Sequence, residues 1–399
     1  MPDITSENIE ELRSRLSKEL HILIVMISGA WGGLEQTALA DVRMLMQNGF
    51  KVTLLVRKGS PIEKVIQQES PQIRLRYSPE AVRNYFDSAL WRLLHELVDK
   101  EGVNLVHCHQ TSILGAVVPP LMRRPHVAIV VSRHILNSHN KKDPLHALLY
   151  RRVDYILVLS QTMKRNLLTT FPVPEKKLRI VNLSIDLERF NPNLVDRETM
   201  REEWGLPKNA FVIGIVGRLD PMKGQDLLIK ALAQVQKTLP NAYGVMVGDE
   251  TPGLDGKYLA ELSHGVEQLK LGDRVIVSKA SANVPAVMAA FDVFVMPSWS
   301  EAFGLVALEA MAMGVPCILS RSGSAEEVAI SSGAEVMRPR DAYDLARKII
   351  YLHNSPEIRV QMKKNGRSFV TENHGKPVRL FKTLEVYNRC YRRRIRSEL

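Results

Sequence analysis

Cysteine is scarce in this sequence of 399 residues. The three cysteines, Cys108, Cys317 and Cys390, are widely separated, and no Cys-x-x-Cys pair is present. This spacing excludes both a small domain held together by disulfides and a typical structural zinc site. We therefore expect a protein of a reducing compartment, the cytoplasm.

Long apolar runs are missing as well. The longest, such as ILIVMI and HVAIVV, are much shorter than the roughly 20 residues that a membrane-spanning helix needs. The first 20 residues have neither the basic start nor the apolar stretch of a signal peptide. We expect a cytoplasmic protein whose only membrane contact would be peripheral, on the inner face of the cytoplasmic membrane.

Negative charge is in the minority. Lys and Arg number 54 against 43 Asp and Glu, a formal net charge of +11. Such a charge favours an acidic partner, which could be a phosphorylated small molecule, an anionic membrane surface or nucleic acid. Nucleic acid is disfavoured because basic and aromatic residues are not interleaved and no recognition-helix motif is present. A merely solvated basic face remains the alternative.

Short, β-branched apolar runs alternate with amphipathic stretches along the chain. Runs such as KVTLLV, YILVLS, FVIGIVG and DVFVMPS are typical of strands buried on both faces. Their alternation with helical patterns predicts an α/β protein built of parallel sheets. A polar segment, NPNLVDRETMREEWGLPKN, separates two such series. We predict two domains, residues 1–190 and 191–375, that face each other across a deep cleft.

The segment SWSEAFGLVALEAMAMGVPCI, from Ser298 to Ile318, predicts a loop followed by a helix. Gly304 allows a ligand close to the backbone, and the free N–H groups and positive dipole end of the helix favour phosphate. Glu301 and Glu309 would repel phosphate, so they are better suited to accept hydrogen bonds from sugar hydroxyls beside a diphosphate. This pattern favours a nucleotide-sugar site; a solvated role for either glutamate is the alternative.

The segment FVIGIVGRLDPMKGQDLLIKAL predicts a strand, a loop and a helix. Arg218 and Lys223 lie five residues apart in that loop, where two cations can converge on a diphosphate and stabilise its departure. No Asp-x-Asp triplet occurs in the chain, so we expect these cations, rather than a divalent metal, to neutralise the phosphates. A basic loop pointing into solvent is the alternative.

Two features of the first domain add to this pattern. Gly32 and Gly33 lie at a predicted strand-to-helix turn, where small residues let a ligand approach the backbone, although such glycines are often turn formers only. His134 directly follows a predicted buried strand, at the sheet edge where α/β proteins bind ligands. In contrast, His107 and His109 lack a third metal ligand, and we expect them to be packed at a strand end.

Three stretches, WGGLEQ, GRLDPMKG and SEAFGLVALEAMAMGVP, resemble in their order and spacing those of glycosyltransferase family 4, the retaining group 1 enzymes of the GT-B fold. The similarity covers nearly the whole chain, and the pair Glu301 and Glu309 is its most specific part. The resemblance implies two Rossmann-like domains, with a C-terminal helix, about residues 376–399, packed back on the first.

The resemblance also implies a role for each candidate residue. Arg218 and Lys223 would hold the diphosphate, and Glu309 would hold the ribose. Glu301 would hold the sugar and phosphate together with four consecutive backbone amides, those of Phe303, Gly304, Leu305 and Val306.

In the first domain, Gly32 and Gly33 would approach the donor phosphates, and His134 would be the active-site histidine. Two positions depart from the family pattern, since Ser184 and Ser278 stand where glycine is usual. Ser278 lies near the nucleobase pocket in such folds, so the choice between UDP and GDP stays open.

Taken together, the sequence predicts a hexosyltransferase that needs no divalent metal or other cofactor, and the resemblance implies that it retains the anomeric configuration. It would move a sugar from a UDP- or GDP-sugar to an acceptor hydroxyl in the synthesis of lipopolysaccharide, a glycolipid or another cell-surface glycan. Two alternatives remain: a sugar-nucleotide epimerase of the same fold, and a non-catalytic protein that binds a nucleotide sugar or a membrane.

Overall fold

The β-branched runs form two parallel sheets, one of seven strands and one of six, in the computed structural model, which describes residues 6–80, 82, 85–299, 301 and 303–395. Each sheet belongs to its own α/β unit. One unit runs to Leu183 and resumes at Lys376, and the other comprises Ser184–Gly375. The polar segment predicts the first division at residue 190, and the second unit of the structure begins at Ser184. The Ile185 N–H, at the start of this unit, donates to the His374 carbonyl at its end, at 2.8 Å.

The first unit alternates strands and helices from its second element onward. Its elements up to the first division are α1 (Ser6–Glu19), β1 (His21–Met26), α2 (Gly33–Gln47), β2 (Lys51–Val56), α3 (Pro61–Glu69), β3 (Arg74–Tyr77), α4 (Ser88–Asp99), β4 (Leu105–Cys108), α5 (Leu114–Val117), β5 (Ala128–Ser132), α6 (Pro144–Arg152), β6 (Tyr155–Val158), α7 (Gln161–Thr170) and β7 (Leu178–Ile180). Strands β1, β4 and β5 are buried along their whole length. Burial on both faces explains why these strands are continuous apolar runs.

The second unit repeats this alternation. Its elements are α8 (Arg197–Glu203), β8 (Phe211–Val216), α9 (Gln225–Val235), β9 (Ala242–Val247), α10 (Lys257–Gln268), β10 (Val275–Ser278), α11 (Val284–Ala289), β11 (Val293–Met296), α12 (Leu305–Ala312), β12 (Cys317–Ser320), α13 (Ala325–Ser332), β13 (Glu335–Met337), α14 (Ala342–Asn354) and α15 (Pro356–His374). The core of this unit includes Ile213, Leu232, Val295 and Ile318.

The strand order fixes where each unit can bind a ligand. The orders are β3-β2-β1-β4-β5-β6-β7 and β10-β9-β8-β11-β12-β13, so the direction of winding reverses between β1 and β4 and between β8 and β11. In parallel α/β sheets, the loops at the carboxyl ends of the strands beside such a reversal open a crevice. The loops after β8 and β11 carry Arg218, Lys223 and Glu301.

Helix α16 (Lys376–Cys390) returns the chain to the first unit. Its Arg379 guanidinium makes two hydrogen bonds of 2.6 Å to the carboxylate of Asp41 on α2, and both side chains are buried. Its Tyr387 is fully buried, and the hydroxyl lies 2.7 Å from Nδ1 of His107 on β4. Among the described residues, no helix is long and apolar enough to cross a membrane.

Candidate functional site

The loop after β8 is ordered by Asp220. Its carboxylate accepts hydrogen bonds from the Met222 N–H at 2.9 Å and from the Thr251 hydroxyl at 2.8 Å. Burial alone would raise the pKa of Asp220, but these two hydrogen bonds and the charges of Arg218 and Lys223 lower it below its usual value. An ionised Asp220 therefore fixes the loop that carries both candidate cations.

The loop after β11 is joined to the loop after β8 by backbone and side-chain contacts. The Trp299 N–H donates to the Met222 carbonyl at 2.9 Å. The Nζ of Lys223 lies 2.9 Å from Oε2 of Glu301, and the two side chains are 31 % and 15 % exposed. Two residues separated by 78 positions, on the loops of neighbouring strands, are thus brought into one ion pair.

Gly224 shows how closely these two loops approach. It precedes α9 with φ of +76°, and a β-carbon built on it would lie 2.7 Å from the Pro297 carbonyl oxygen. A side chain at this position would both require a left-handed backbone and collide with the neighbouring loop. The close approach at Gly224 therefore supports the ion pair of Lys223 and Glu301.

The predicted loop is followed by helix α12, which begins at Leu305, four residues after Glu301 of this ion pair. Gly304 precedes it with φ of +83° and offers no side chain to cap the helix. Because the first N–H groups of a helix have no partner within the helix, those of Leu305 and Val306 are open to an external acceptor such as phosphate. The Phe303 side chain is buried and anchors the loop.

Glu309 lies in the second turn of α12, among Leu308, Ala310 and Met311, which are buried. Burial raises the pKa of Glu309 from 4.5 to about 7, and the positive charge of Arg189 opposes this rise. Among the described residues, no ion pair or side-chain hydrogen bond of the Glu309 carboxylate is found. Because Glu309 is only half-buried, its carboxyl group is accessible to a ligand, and a ligand that supplies hydroxyl donors would stabilise its ionised form.

Arg218 is exposed, and its backbone carbonyl accepts a hydrogen bond from the buried Gln225 side chain at 2.8 Å. The backbone is therefore held in place while the guanidinium is accessible to solvent. Together with Lys223, it supplies the positive charge of this loop. The structure thus brings Arg218, Lys223, Glu301 and the start of α12 to one edge of the second sheet.

Gly32 and Gly33 lie at the corresponding turn of the first unit, after β1. Gly32 has an extended backbone, with φ of −164°, that any residue can adopt. A β-carbon on Gly33 would meet no atom within 4 Å. The protein fold therefore does not require glycine at either position, and the space beside this turn is open.

His134 lies in the first unit and lines a cavity of about 360 Å³. Its Nε2 is buried and makes no hydrogen bond to any residue that the structure describes. Burial lowers the pKa of His134 to about 3, and the charge of Arg379 adds to this effect. The ring is therefore neutral near pH 7. Leu34, directly after Gly33, lines the same cavity, as do Arg133, Lys141 and Tyr150.

A row of histidines connects this cavity to the protein interior. The His134 ring stacks on His109 with centroids 5.4 Å apart, and His109 lies 4.5 Å from His107. His107 is buried and hydrogen-bonded to Tyr387 and to Ser132, at 2.7 and 2.8 Å. The prediction that His107 and His109 are packed at a strand end is confirmed.

Three supporting residues were not found from the sequence. Asp220 fixes the cationic loop, Arg189 is the charge that acts on Glu309, and Asp41 lies 3.5 Å from His109 behind His134. Only Asp220 carried a local signal, because an aspartate before proline often caps a turn. Among the described residues, no group of three or more His, Cys, Asp or Glu side chains is arranged to hold a metal ion.

The strand order and the loops at its reversal define a doubly wound α/β protein with two such units, a class that binds ligands at this edge of its sheets. Residues 196–369 match the family Glycosyl transferases group 1, and residues 31–189 match Glycosyltransferase Family 4. The two matches together cover most of the chain. The chain belongs to the family 4, group 1 glycosyltransferases, and its fold is GT-B.

Individual relatives agree with this assignment. The UDP-Gal:alpha-D-GlcNAc-diphosphoundecaprenol alpha-1,3-galactosyltransferase of Escherichia coli is 26 % identical over 77 % of this chain and 81 % of its own length. The GDP-mannose-dependent alpha-(1-6)-phosphatidylinositol monomannoside mannosyltransferase of Mycolicibacterium smegmatis is 31 % identical over 56 % of this chain and 62 % of its own. Among solved structures, Anabaena HepE in complex with UDP has a TM-score of 0.81 at 22 % identity, covering 93 % of this chain and 100 % of its own. That likeness concerns the fold.

Proposed function

We propose that the chain transfers a hexosyl group from a UDP- or GDP-sugar to a hydroxyl of a glycolipid, lipopolysaccharide or other cell-surface glycan. The transfer retains the anomeric configuration and needs no divalent metal. The observation that carries this proposal is the meeting of Lys223 with Glu301 where the sheet reverses, beside the uncapped start of α12.

Each charge at this edge matches one part of a nucleotide sugar. The cations Arg218 and Lys223 neutralise the diphosphate, with the first N–H groups of α12 as further donors. Glu301 and Glu309 accept hydrogen bonds from hydroxyls of the sugar and the ribose. Gly32 and Gly33 leave room for the donor phosphates on the side of the first unit.

In the proposed reaction, the bond between the anomeric carbon and the diphosphate oxygen breaks, and its electron pair stays on the departing nucleoside diphosphate. Positive charge develops on the sugar while negative charge develops on the diphosphate. Arg218 and Lys223 stabilise that negative charge. The acceptor hydroxyl attacks the anomeric carbon from the side of the leaving group and passes its proton to the departing diphosphate oxygen. Neutral His134 orients the donor sugar or the acceptor hydroxyl by hydrogen bonding.

The relatives support the substrate classes. The Escherichia coli protein is named for a UDP-sugar and a lipid-linked diphosphate acceptor, and the mycobacterial protein for GDP-mannose and a phosphatidylinositol monomannoside. Both names combine a nucleotide sugar with a lipid-linked glycan. The proposed peripheral position on the inner face of the cytoplasmic membrane follows from acceptors of this kind.

A panel of nucleoside diphosphates and their sugars tests the donor by thermal shift, because a ligand that binds only the folded state raises its apparent stability. With the donor found, Arg218→Ala and Lys223→Ala are each expected to lower kcat about 100-fold or more. Lys230→Ala, an exposed cation on α9, is the matched control. A raised KM with unchanged kcat would contradict the role given to the two cations.

Incubation with donor alone separates the proposed transferase from an epimerase, which would convert the nucleotide sugar without any acceptor. Turnover in the presence of a chelator tests metal independence. The anomeric configuration of the product, read by NMR, tests retention. Binding of the nucleotide sugar without any turnover on lipid-linked acceptors would contradict the enzymatic proposal.

A further inference from the structure

The outward face of helix α6 is apolar. Leu145 and Leu148 are 46 % and 53 % exposed and lie three residues apart, so they are neighbours on the helix surface. The adjoining face is packed into the unit through Leu149 and Tyr150, which are buried. A helix that anchors one apolar face and still exposes two leucines has apolar surface beyond what the fold uses.

A basic pocket of about 610 Å³ lies at the C-terminal end of the same helix. Its lining is mostly cationic: Arg151, Asp154, Tyr155, Lys176, Lys177, Arg179, Arg393 and Arg394. Asp154, the carboxylate of this pocket, is buried and already accepts hydrogen bonds from Arg394 at 2.8 Å and from the Ile129 N–H at 3.0 Å. Positive charge therefore exceeds negative charge in this pocket.

Lys177 connects the pocket to the helix. Its Nζ donates to the carbonyls of Tyr150, Arg151 and Val153, at 2.9, 2.9 and 2.6 Å, and so caps the C-terminal end of α6. This lysine is used by the fold. Of the cations left for an external anion, Arg151 and Lys176 are exposed. Arg179 is half-buried, and its guanidinium also donates to the carbonyls of Lys176 and Leu178.

We propose that the outward face of α6 and the basic pocket at its end form a docking surface for an anionic phospholipid membrane. The two leucines enter the headgroup region while the surrounding cations pair with lipid phosphates. Exposed apolar residues flanked by basic ones are the arrangement that interfacial helices use, and the charge of the pocket is complementary to an anionic leaflet.

This inference extends the proposed function, in that it gives a surface to the membrane on which a lipid-linked acceptor resides. Helix α6 separates the pocket from the cavity that holds His134, because His146, Leu149 and Tyr150 of the same helix line that cavity. A membrane beneath α6 would therefore lie beside His134. An acceptor that extends from the leaflet would have a short path to it.

The test uses the full chain and vesicles of phosphatidylcholine, with and without about one-third phosphatidylglycerol. Each Lys or Arg near an anionic surface contributes about 1 kcal/mol, which is about fivefold in affinity. We expect binding to the anionic vesicles only, and a loss of about 100-fold in the variant Arg151→Gln/Lys176→Gln/Arg179→Gln. The variant Leu145→Ser/Leu148→Ser is expected to lose binding as well.

Matched substitutions in the second unit serve as controls. Lys208→Gln/Lys237→Gln/Lys270→Gln removes three exposed lysines, and Leu259→Ser removes an exposed leucine. Both are expected to bind vesicles as the wild type does. Equal binding of the wild type to neutral and anionic vesicles would overturn the proposal. Full vesicle binding by either the triple arginine and lysine variant or the double leucine variant of the docking surface would also overturn it. Self-association in solution that Leu145→Ser/Leu148→Ser abolishes would also overturn it, since the face would then be a protein interface.

The nucleotide-induced thermal shift is measured in parallel on every variant. The nucleotide site proposed in the second unit lies outside the docking surface, so all variants are expected to keep the shift. A retained shift also shows that a variant is folded. Loss of vesicle binding with an intact shift supports the docking surface. An absent shift in the wild type would count against the donor site while leaving the vesicle result to stand alone.

Discussion

The raised pKa of Glu309 gives a quantitative prediction for stability. The folded state binds a proton at Glu309 up to about pH 7, whereas the unfolded chain releases it near 4.5. Between these values the folded state binds more protons, so the free energy of unfolding falls as the pH rises. The total decrease in the free energy of unfolding is about 3 kcal/mol, at about 1.36 kcal/mol per pKa unit. About 2 kcal/mol of this decrease occurs between about pH 5.5 and 8.

Glu309→Gln removes this proton linkage. The difference in Tm between Glu309→Gln and wild type is therefore expected to grow by about 4–8 °C from pH 5.5 to 8, in favour of the variant. Calorimetry is the suitable assay because it can separate transitions of the two units. Glu267→Gln, at an exposed position of α10, is the control and is expected to show no such growth. A difference that is the same at both pH values would refute the burial argument.

The pH dependence of nucleotide-sugar binding tests the ionisation of Glu309 independently of stability. If Glu309 accepts hydroxyl hydrogen bonds, a nucleotide sugar binds its ionised form, so affinity is expected to rise about tenfold from pH 6 to pH 8. A nucleotide sugar is the right probe because both of its phosphates are esterified and neither has the terminal ionisation near pH 6. Glu309→Gln should bind weakly and without this pH dependence. A flat profile in the wild type would refute the role.

Two further predictions concern the supports of the site. Gly304→Ala places a β-carbon 2.8 Å from Met296 Cε at a backbone φ of +83°, so it is expected to cost about 1–3 kcal/mol of stability and to weaken nucleotide binding. The control Gly265→Ala, whose β-carbon would have no atom closer than 3.8 Å, should cost nothing. Urea unfolding measures the stability of both variants. Arg379→Met leaves the Asp41 carboxylate buried without its guanidinium partner and is expected to lower the free energy of unfolding by about 3–5 kcal/mol. The double variant Arg379→Met/Asp41→Leu should recover most of this loss. A double variant as unstable as the single one would contradict this account.

The central strands of both sheets could be predicted from the sequence, but three edge strands could not. Strands β3, β7 and β13 have the sequences RLRY, LRI and EVM and lie at the edges of their sheets. These strands are less buried than the central ones, and charged residues on an edge strand discourage pairing with other chains. A search for apolar runs therefore finds the sheet interior and misses these three edge strands, whereas the fourth edge strand, β10, has the apolar sequence VIVS and is found.

Prediction of the site divides in a similar way. Arg218, Lys223, Glu301 and Gly304 could be proposed because each stands in a loop after a buried strand, which is a local pattern. Their meeting depends on strand order, which places β8 beside β11 although β9 and β10 intervene in the sequence. The partners behind His134 lie still further apart, since Asp41 and Arg379 are separated by 338 residues and no spacing rule connects them.

The charges of the candidate site are balanced before any ligand arrives. Lys223 is paired with Glu301, and Glu309 holds a proton below about pH 7, so little uncompensated charge is buried in the second unit. Under the proposed function, a nucleotide sugar exchanges these partners: the diphosphate takes Lys223, and sugar and ribose hydroxyls take the two carboxylates. The exchange keeps Lys223, Glu301 and Glu309 paired, which requires a ligand with both an anion and hydroxyls. Inorganic pyrophosphate would leave Glu301 without its cation, and we expect it to bind more weakly than a nucleotide sugar.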